Sequence, residues 1–235
     1  MFNEKVKMIA HRGFSCTETE NTCAAFVAAG NRTHFGIETD IHVTKDGKFI
    51  VIHDDRTGRV AGDDMIVEET CFDTLRAVRL LNREDGQKSR GDLIMPTLKE
   101  YLSVCRHYGK MSILELKNHF EPQDVRRVID EIREMEWLDH VIFISFDLPN
   151  MICLRELLPD HPLQYLTKVY ADDLEETLQK YRLDLDIKHI SLTKEKVEKL
   201  HSLGIKVNVW TVDDPADAER MIDYGVDFIT SNALE

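Results

Sequence analysis

Long apolar runs are missing from this chain. A helix that crosses a bilayer needs roughly 18 or more consecutive apolar residues, and the best run, Val141 to Phe146, is strand-sized. The opening MFNEKVK is too short and too polar for a secretory leader. Cysteine is sparse. The five residues, at 16, 23, 71, 105 and 153, are odd in number and never in C-x-x-C spacing, so neither a disulfide framework nor a thiolate zinc site is indicated. A reduced, cytoplasmic setting is the economical expectation. Positive charge is short as well: 30 Lys and Arg against 43 Asp and Glu leave a formal net charge of −13. That argues against nucleic acid and against stable membrane association, because both need clustered cations. No glycine-rich phosphate loop of the G-x-G-x-x-G or G-x-x-x-x-G-K type is present either.

What remains is an ordinary globular composition, 43% hydrophobic and 31% charged over 235 residues, long enough for a sizeable core. Short apolar runs alternate with helical patterns. Strands are expected at 6–10, 35–41, 48–53, 111–116, 141–146, 163–167, 187–191, 205–210 and 226–230. Helix punctuation falls between them: Thr97 and Glu100 form a capping-box pattern, and Pro122, Pro149 and Pro215 sit where first turns are expected. Near the end the unit repeats, with helices from Thr193 and Asp214 stopping at Gly204 and Gly225. Such alternation implies parallel pairing through right-handed crossovers. Its length and strand count suit a (βα)8 barrel in one domain over 1–235 better than an open sheet. The polar stretch near 56–95 reads as a small insertion or lid.

Three stretches carry chemistry. In GIETDIHVTKDGKFIVIHDD, period-2 alternation puts Glu38, Asp40 and His42 on one face and Ile37, Thr39, Ile41 and Val43 on the other. Asp46-Gly47 signals a two-residue hairpin after the second strand. That turn sets Asp40 opposite His53, about 5 Å apart at Cβ. For His42, nearer the tip, a surface position is at least as good a reading. In SILELKNH, Ile113, Glu115 and Lys117 share a face, an arrangement that fits either an interior ion pair or the catalytic end of a barrel strand. In MIAHRGF, the first strand runs straight into His11-Arg12-Gly13. Three carboxylates without thiolates (Glu38, Asp40, Glu115) suit a hard divalent cation, Mg²⁺, Ca²⁺ or Mn²⁺. His11 and His53 can act as general base and acid, and Arg12 and Lys117 can bind an anion. Together these describe phosphoryl chemistry. Trp210 reads equally well as core or pocket wall. His119 is at most a supporting residue.

In order and spacing, His11-Arg12-Gly13, Glu20-Asn21-Thr22, Glu38-x-Asp40, Thr44-Lys45-Asp46-Gly47 and His53-Asp54 resemble the glycerophosphodiester phosphodiesterases. Leu114-Glu115-Leu116-Lys117, Ser145-Phe146, Trp210-Thr211-Val212 and Gly225-Val226-Asp227 continue the likeness almost to the C-terminus. The resemblance implies a (βα)8 barrel that hydrolyses small-molecule glycerophosphodiesters to glycerol 3-phosphate and an alcohol. It implies His11 and His53 as the acid/base pair and Glu38, Asp40 and Glu115 as cation ligands. Arg12 and Lys117 would contact phosphate and Trp210 the glycerol side. Glu20 and Asn21 would support the substrate site, although capping the first helix explains them equally well. Two departures stand out: Thr19 replaces the usual Pro, and Thr230-Ser231-Asn232-Ala233 replaces a closing Thr-Asp or Thr-Asn followed by Pro. A related phospholipid-cleaving enzyme, of the phosphatidylinositol-specific phospholipase C or sphingomyelinase D sort, is the alternative. A non-catalytic barrel that binds a phosphorylated metabolite is the third reading. A homo-oligomer is left open.

Overall fold

A computed structural model describes residues 6–235. The leader reading of the N-terminus rests largely on residues 1–5, which lie outside the described residues. Eight strands form the barrel: β1 (Lys7–Ala10), β2 (Gly36–Val43), β4 (Met111–Leu116), β5 (Val141–Ser145), β6 (Leu163–Thr167), β7 (Asp184–Lys188), β8 (Val207–Trp210) and β9 (Phe228–Ser231). All pair in parallel, and β1 closes the ring by pairing with both β9 and β2. A short ninth strand, β3 (Phe49–Val51), runs antiparallel to β2 outside the ring. This is the expected (βα)8 barrel.

Alternation within each strand divides the core into two layers. Ile9, Ile113, Ile142, Ile144, Leu166 and Phe228 fill the barrel. Their strand neighbours, such as Ala10, Ile37, Leu114, Leu116, Ile187 and Val209, face outward and meet the helices. Both faces of a parallel barrel strand are covered, so its outward positions are as apolar as a core. Of the helices that cover the barrel, α1 (Cys23–Gly30) is capped by Thr22, whose hydroxyl accepts from the Ala25 N–H. The capping box is present on α4 (Leu98–Tyr108): Thr97 accepts from the Glu100 N–H at 3.0 Å, and Glu100 accepts from the Thr97 N–H at 2.7 Å. Proline occupies the first turn of α5 (Pro122–Glu134), α6 (Leu148–Leu157) and α9 (Pro215–Tyr224) as expected.

Two local expectations need correction. The strand expected at 187–191 lies instead at Asp184–Lys188, and residues 189–191 form a 3-10 turn. Asp184 and Asp186 alternate with Leu185 and Ile187, and acids at interior positions hide the strand from a search for apolar runs. The β2–β3 hairpin also differs by one residue. Ile41 pairs with Val51 and Val43 with Phe49, and the loop is Lys45-Asp46-Gly47. Thr44 accepts from the Gly47 N–H at 2.8 Å and donates its own N–H to Lys48, with Gly47 at φ +75. A three-residue loop with glycine in the left-handed region sets a different register from a two-residue turn. Asp40 therefore lies level with Ile52 rather than His53, its carbonyl accepting from the Ile52 N–H. His53 reaches the site because the chain leaves the sheet after Val51.

The 56–95 segment is more than a polar lid. It contains α2 (Gly58–Ala61) and α3 (Phe72–Arg76). Its Val60, Val67, Leu75, Leu80, Leu93 and Met95 bury against Ile50 and Ile52 in a small core of their own.

Candidate active site

Three turns at the C-terminal end of the barrel meet in one cluster. Beyond β1, Arg12 and Gly13 both take left-handed backbone, φ 55 and 78. A Cβ at Gly13 would come within 2.6 Å of the Ala25 backbone, so both its conformation and the close packing on α1 require glycine. The strained Arg12 is held from two sides. Its N–H donates to Glu38 Oε2 at 2.8 Å, and its carbonyl accepts from the Asn21 N–H at 3.0 Å. The guanidinium then donates to Glu20 at 2.8 Å and lies 3.8 Å from Asp40.

Glu38, Asp40 and Glu115 converge as alternation predicts, because Asp40 and Glu115 are register partners on adjacent strands. One carboxylate oxygen from each lies within 4.8 Å of the others, and all three side chains are buried. Burial, then the Asp40 charge, pushes Glu38 well above the ordinary carboxylate range and Glu115 to about 8. Burial pushes Asp40 up too, but Lys117, His53 and Arg12 more than offset it and hold this carboxyl below its usual value. Lys117 Nζ lies 2.9 Å from Glu115 and 3.5 Å from Asp40. Three buried carboxylates thus face two side-chain cations, and Asp40 Oδ1 has no hydrogen-bond partner. An all-oxygen set with a surplus negative charge and an orphaned acceptor fits a hard divalent cation.

The two imidazoles are anchored in parallel ways. His11 Nδ1 lies 2.8 Å from Asn232 Oδ1, which also accepts from Ser15. The Asn232 amide nitrogen donates to Asp213 at 2.7 Å. That network requires the proton on Nδ1 and leaves Nε2 as a free base. Burial and then the Arg12 charge push His11 down to about 4. His53 Nδ1 lies 2.6 Å from Asp54, which is held by Arg59 from the inserted segment. Burial lowers His53 despite the Asp40 charge, with Arg12 and Lys117 adding to the effect.

A cavity of about 90 Å³ opens between these groups, lined by His11, Arg12, Glu38, His53, Glu115 and Trp210, with Ile144, Phe146, Leu166, Asp186, Thr211 and Thr230 across from them. Trp210 is a wall, edge-on to Phe146 at 5.6 Å. Asp40 and Lys117 stand just behind the lining. Glu20 and Asn21 lie further back: Glu20 binds Arg12 and Arg59, and Asn21 donates to Asp40 at 2.8 Å while accepting from Thr39. Neither caps α1. His42 is fully buried, not on the surface, with Nδ1 3.0 Å from Glu68 and Nε2 3.4 Å from the His53 carbonyl. Burying both ring nitrogens needs the Glu68 partner, which comes from the inserted segment and has no local signal in the sequence. His119 is exposed beside Asp147. Sequence reasoning missed three contacts: Asn232 on His11, Arg59 on Asp54, and Asp186 in the cavity. The first comes from the very closing segment that departs from the expected pattern. No helix among the described residues is long and apolar enough to cross a membrane.

With this geometry in place, comparison with known proteins is informative. The glycerophosphoryl diester phosphodiesterase family profile matches residues 11–235. A glycerophosphodiester phosphodiesterase of Caldanaerobacter subterraneus subsp. tengcongensis is 32% identical over 98% of this chain and 96% of its own. One from Bacillus altitudinis is 30% identical over 95% and 93%. Among solved structures, a glycerophosphodiester phosphodiesterase of Parabacteroides distasonis superposes with TM-score 0.82 at 29% identity, covering 97% of this chain and 93% of that one. An Oleispira antarctica phosphodiesterase in complex with sn-glycerol-3-phosphate shares the fold, with TM-score 0.87 at 24% identity over 96% and 92%.

Proposed function

Because the chain belongs to the glycerophosphoryl diester phosphodiesterase family, we propose that it hydrolyses glycerophosphodiesters to glycerol 3-phosphate and an alcohol, with residues 1–235 acting as one catalytic domain. The observation that carries the reading is the convergence of two separately anchored imidazoles on a buried three-carboxylate cluster beside Arg12.

His11, neutral at physiological pH with a free Nε2, takes the proton from the attacking oxygen. Asp54 on His53 Nδ1 favours the imidazolium, and an arriving phosphodiester anion favours it further. His53 therefore donates to the departing alkoxide. In the first step a hydroxyl of the substrate's glycerol attacks phosphorus, the P–O bond to the leaving alcohol breaks, and a cyclic phosphate forms. In the second, water opens the ring with the histidine roles reversed. Arg12 and Lys117 neutralise the phosphoryl oxygens, Arg12 through its planar fork. Glu38, Asp40 and Glu115 would hold a divalent cation, Mg²⁺, Ca²⁺ or Mn²⁺, which when bound draws negative charge from the phosphoryl group. Glu20 and Asn21 position Arg12 and Asp40.

The purified chain with Mg²⁺ or Ca²⁺ should release glycerol 3-phosphate from glycerophosphocholine, and a chelator should abolish the release. No release from a panel of glycerophosphodiesters, with each metal supplied in turn, would sink the proposal. One observation favours a phospholipid substrate as a second reading. Phe146, Val169 and Ile190, beyond β5, β6 and β7, are exposed apolar side chains at the barrel's C-terminal end. Faster turnover of lysophosphatidylcholine in vesicles than of glycerophosphocholine would select it.

A further inference from the structure

Across the cavity from the carboxylate cluster, two buried polar atoms have no partner. Asp186, on the interior face of β7, is 2% exposed, and its Oδ1 makes no hydrogen bond. Trp210, one layer higher on neighbouring β8, has a buried Nε1–H that is likewise unpaired. Both side chains line the cavity. Buried polar groups without partners are rare because each forfeits its hydration. Two in one cavity are therefore a strong sign of a missing ligand.

The neighbours cannot relieve them. Asp186 sits between Leu166 on β6 and Asn208 on β8 in the sheet register. Leu166 has nothing to offer. Asn208 is engaged elsewhere, donating to Gln164 at 3.0 Å and accepting from Thr230 at 3.2 Å. No charged side chain compensates the Asp186 carboxyl, and burial alone pushes it well above the ordinary range. It is therefore a neutral acid at pH 7, able to donate one hydrogen bond and accept others. Catalysis by the two histidines and the carboxylate cluster requires neither Asp186 nor the indole N–H.

We propose that Asp186 and Trp210 form a hydroxyl-binding subsite that positions the glycerol portion of the substrate and selects polyol phosphodiesters over simple alkyl ones. This rests on the phosphodiesterase reading above. The indole N–H donates to one hydroxyl oxygen, and the Asp186 carboxyl exchanges hydrogen bonds with a hydroxyl deeper in the cavity. Phe146 stacks edge-on against the indole and keeps that side dry. A site built around hydroxyl groups rejects analogues lacking them, because their absence leaves the protein groups unpaired.

The test compares binding of glycerol 3-phosphate and of inorganic phosphate by calorimetry in Mg²⁺ buffer, for the unmodified chain, D186N, D186L and W210F. Unmodified protein should prefer glycerol 3-phosphate. D186L should weaken that ligand about 10- to 100-fold while leaving phosphate within about twofold, and W210F should weaken it about 10-fold. D186N keeps neutral hydrogen-bonding groups and should restore most of the affinity, a rescue that a merely structural residue would not show. Equal affinity of the unmodified chain for the two ligands overturns the subsite. So does a folded D186L (far-UV circular dichroism) that binds glycerol 3-phosphate normally or loses both ligands alike. Turnover of glycerophosphocholine is measured in parallel. Its absence sinks the proposed activity, whereas turnover with undiminished D186L affinity sinks the subsite alone.

Discussion

Lys117 is the cation whose removal should be felt most. Its side chain is 12% exposed and bridges Glu115 at 2.9 Å and Asp40 at 3.5 Å, themselves almost fully buried. Lys117→Met keeps the length and removes the charge. Breaking a buried pair from one side costs about 3–5 kcal/mol, because the remaining charge is stranded. Two features reduce that figure. Arg12 still lies 3.8 Å from Asp40, and Glu115, with its pKa already near 8, escapes much of the penalty at pH 7 by holding a proton. About 2–3 kcal/mol remains, which in a chain of this size lowers Tm by about 4–12 °C. Thermal unfolding in chelator at pH 7, followed by circular dichroism, measures it. The loss should grow at pH 9, where Glu115 is ionised, and shrink at pH 6. Millimolar Mg²⁺ should narrow it by supplying the missing positive charge. A K117M protein within 1 °C of the unmodified chain at both pH 7 and pH 9 would refute the view that Lys117 neutralises the cluster.

Other outcomes follow from the same geometry. His11→Ala and His53→Ala should each lower kcat about 10²- to 10⁴-fold with the fold intact, while Asn232→Ala, which only frees the His11 ring, should cost about 10-fold in kcat with little change in KM. Equal losses in all three would deny His11 a chemical role distinct from its anchor. In chelator, stability should fall as pH rises from about 6.5 to 8: the folded pKa of Glu115 lies near 8, above its ordinary 4.5, so the folded state retains a proton that the unfolded chain has released. Glu115→Gln should remove about 2 kcal/mol of that decline, and an unchanged Tm profile would contradict the assignment. Below pH 6.5 the sign reverses for His11, whose folded pKa near 4 makes stability fall as the unfolded chain gains a proton first. His42→Ala should destabilise by about 2–3 kcal/mol, since it opens a cavity and strands Glu68. Chemical denaturation showing under 0.5 kcal/mol would mean that the His42–Glu68 contact holds nothing in place.

Much of this was legible in sequence because the rules involved are local. Alternation along Gly36–Val43 and Met111–Leu116 is enough to put Glu38, Asp40 and Glu115 on interior faces. Thr97 with Glu100, and the prolines at 122, 149 and 215, announce helix starts through neighbouring backbone alone. The hairpin shows where local rules end. Asp46-Gly47 marks a turn, yet loop length decides register, and one extra residue moves Asp40 from His53 to Ile52.

The sequence by itself determined the strand–helix alternation, the two-faced strands and the inventory of acids, imidazoles and cations at strand ends. Only the tertiary structure decided the partners. Asn232 meets His11 across 221 positions because barrel closure sets β9 beside β1. Arg59 and Glu68 reach Asp54 and His42 because the 56–95 segment packs its own small core on β3. Asp186 hid its strand from pattern reading for the same reason that it matters. A polar residue on an interior face breaks the apolar signal, and whether it is stranded, paired or waiting for a ligand depends on neighbours that only the closed barrel supplies.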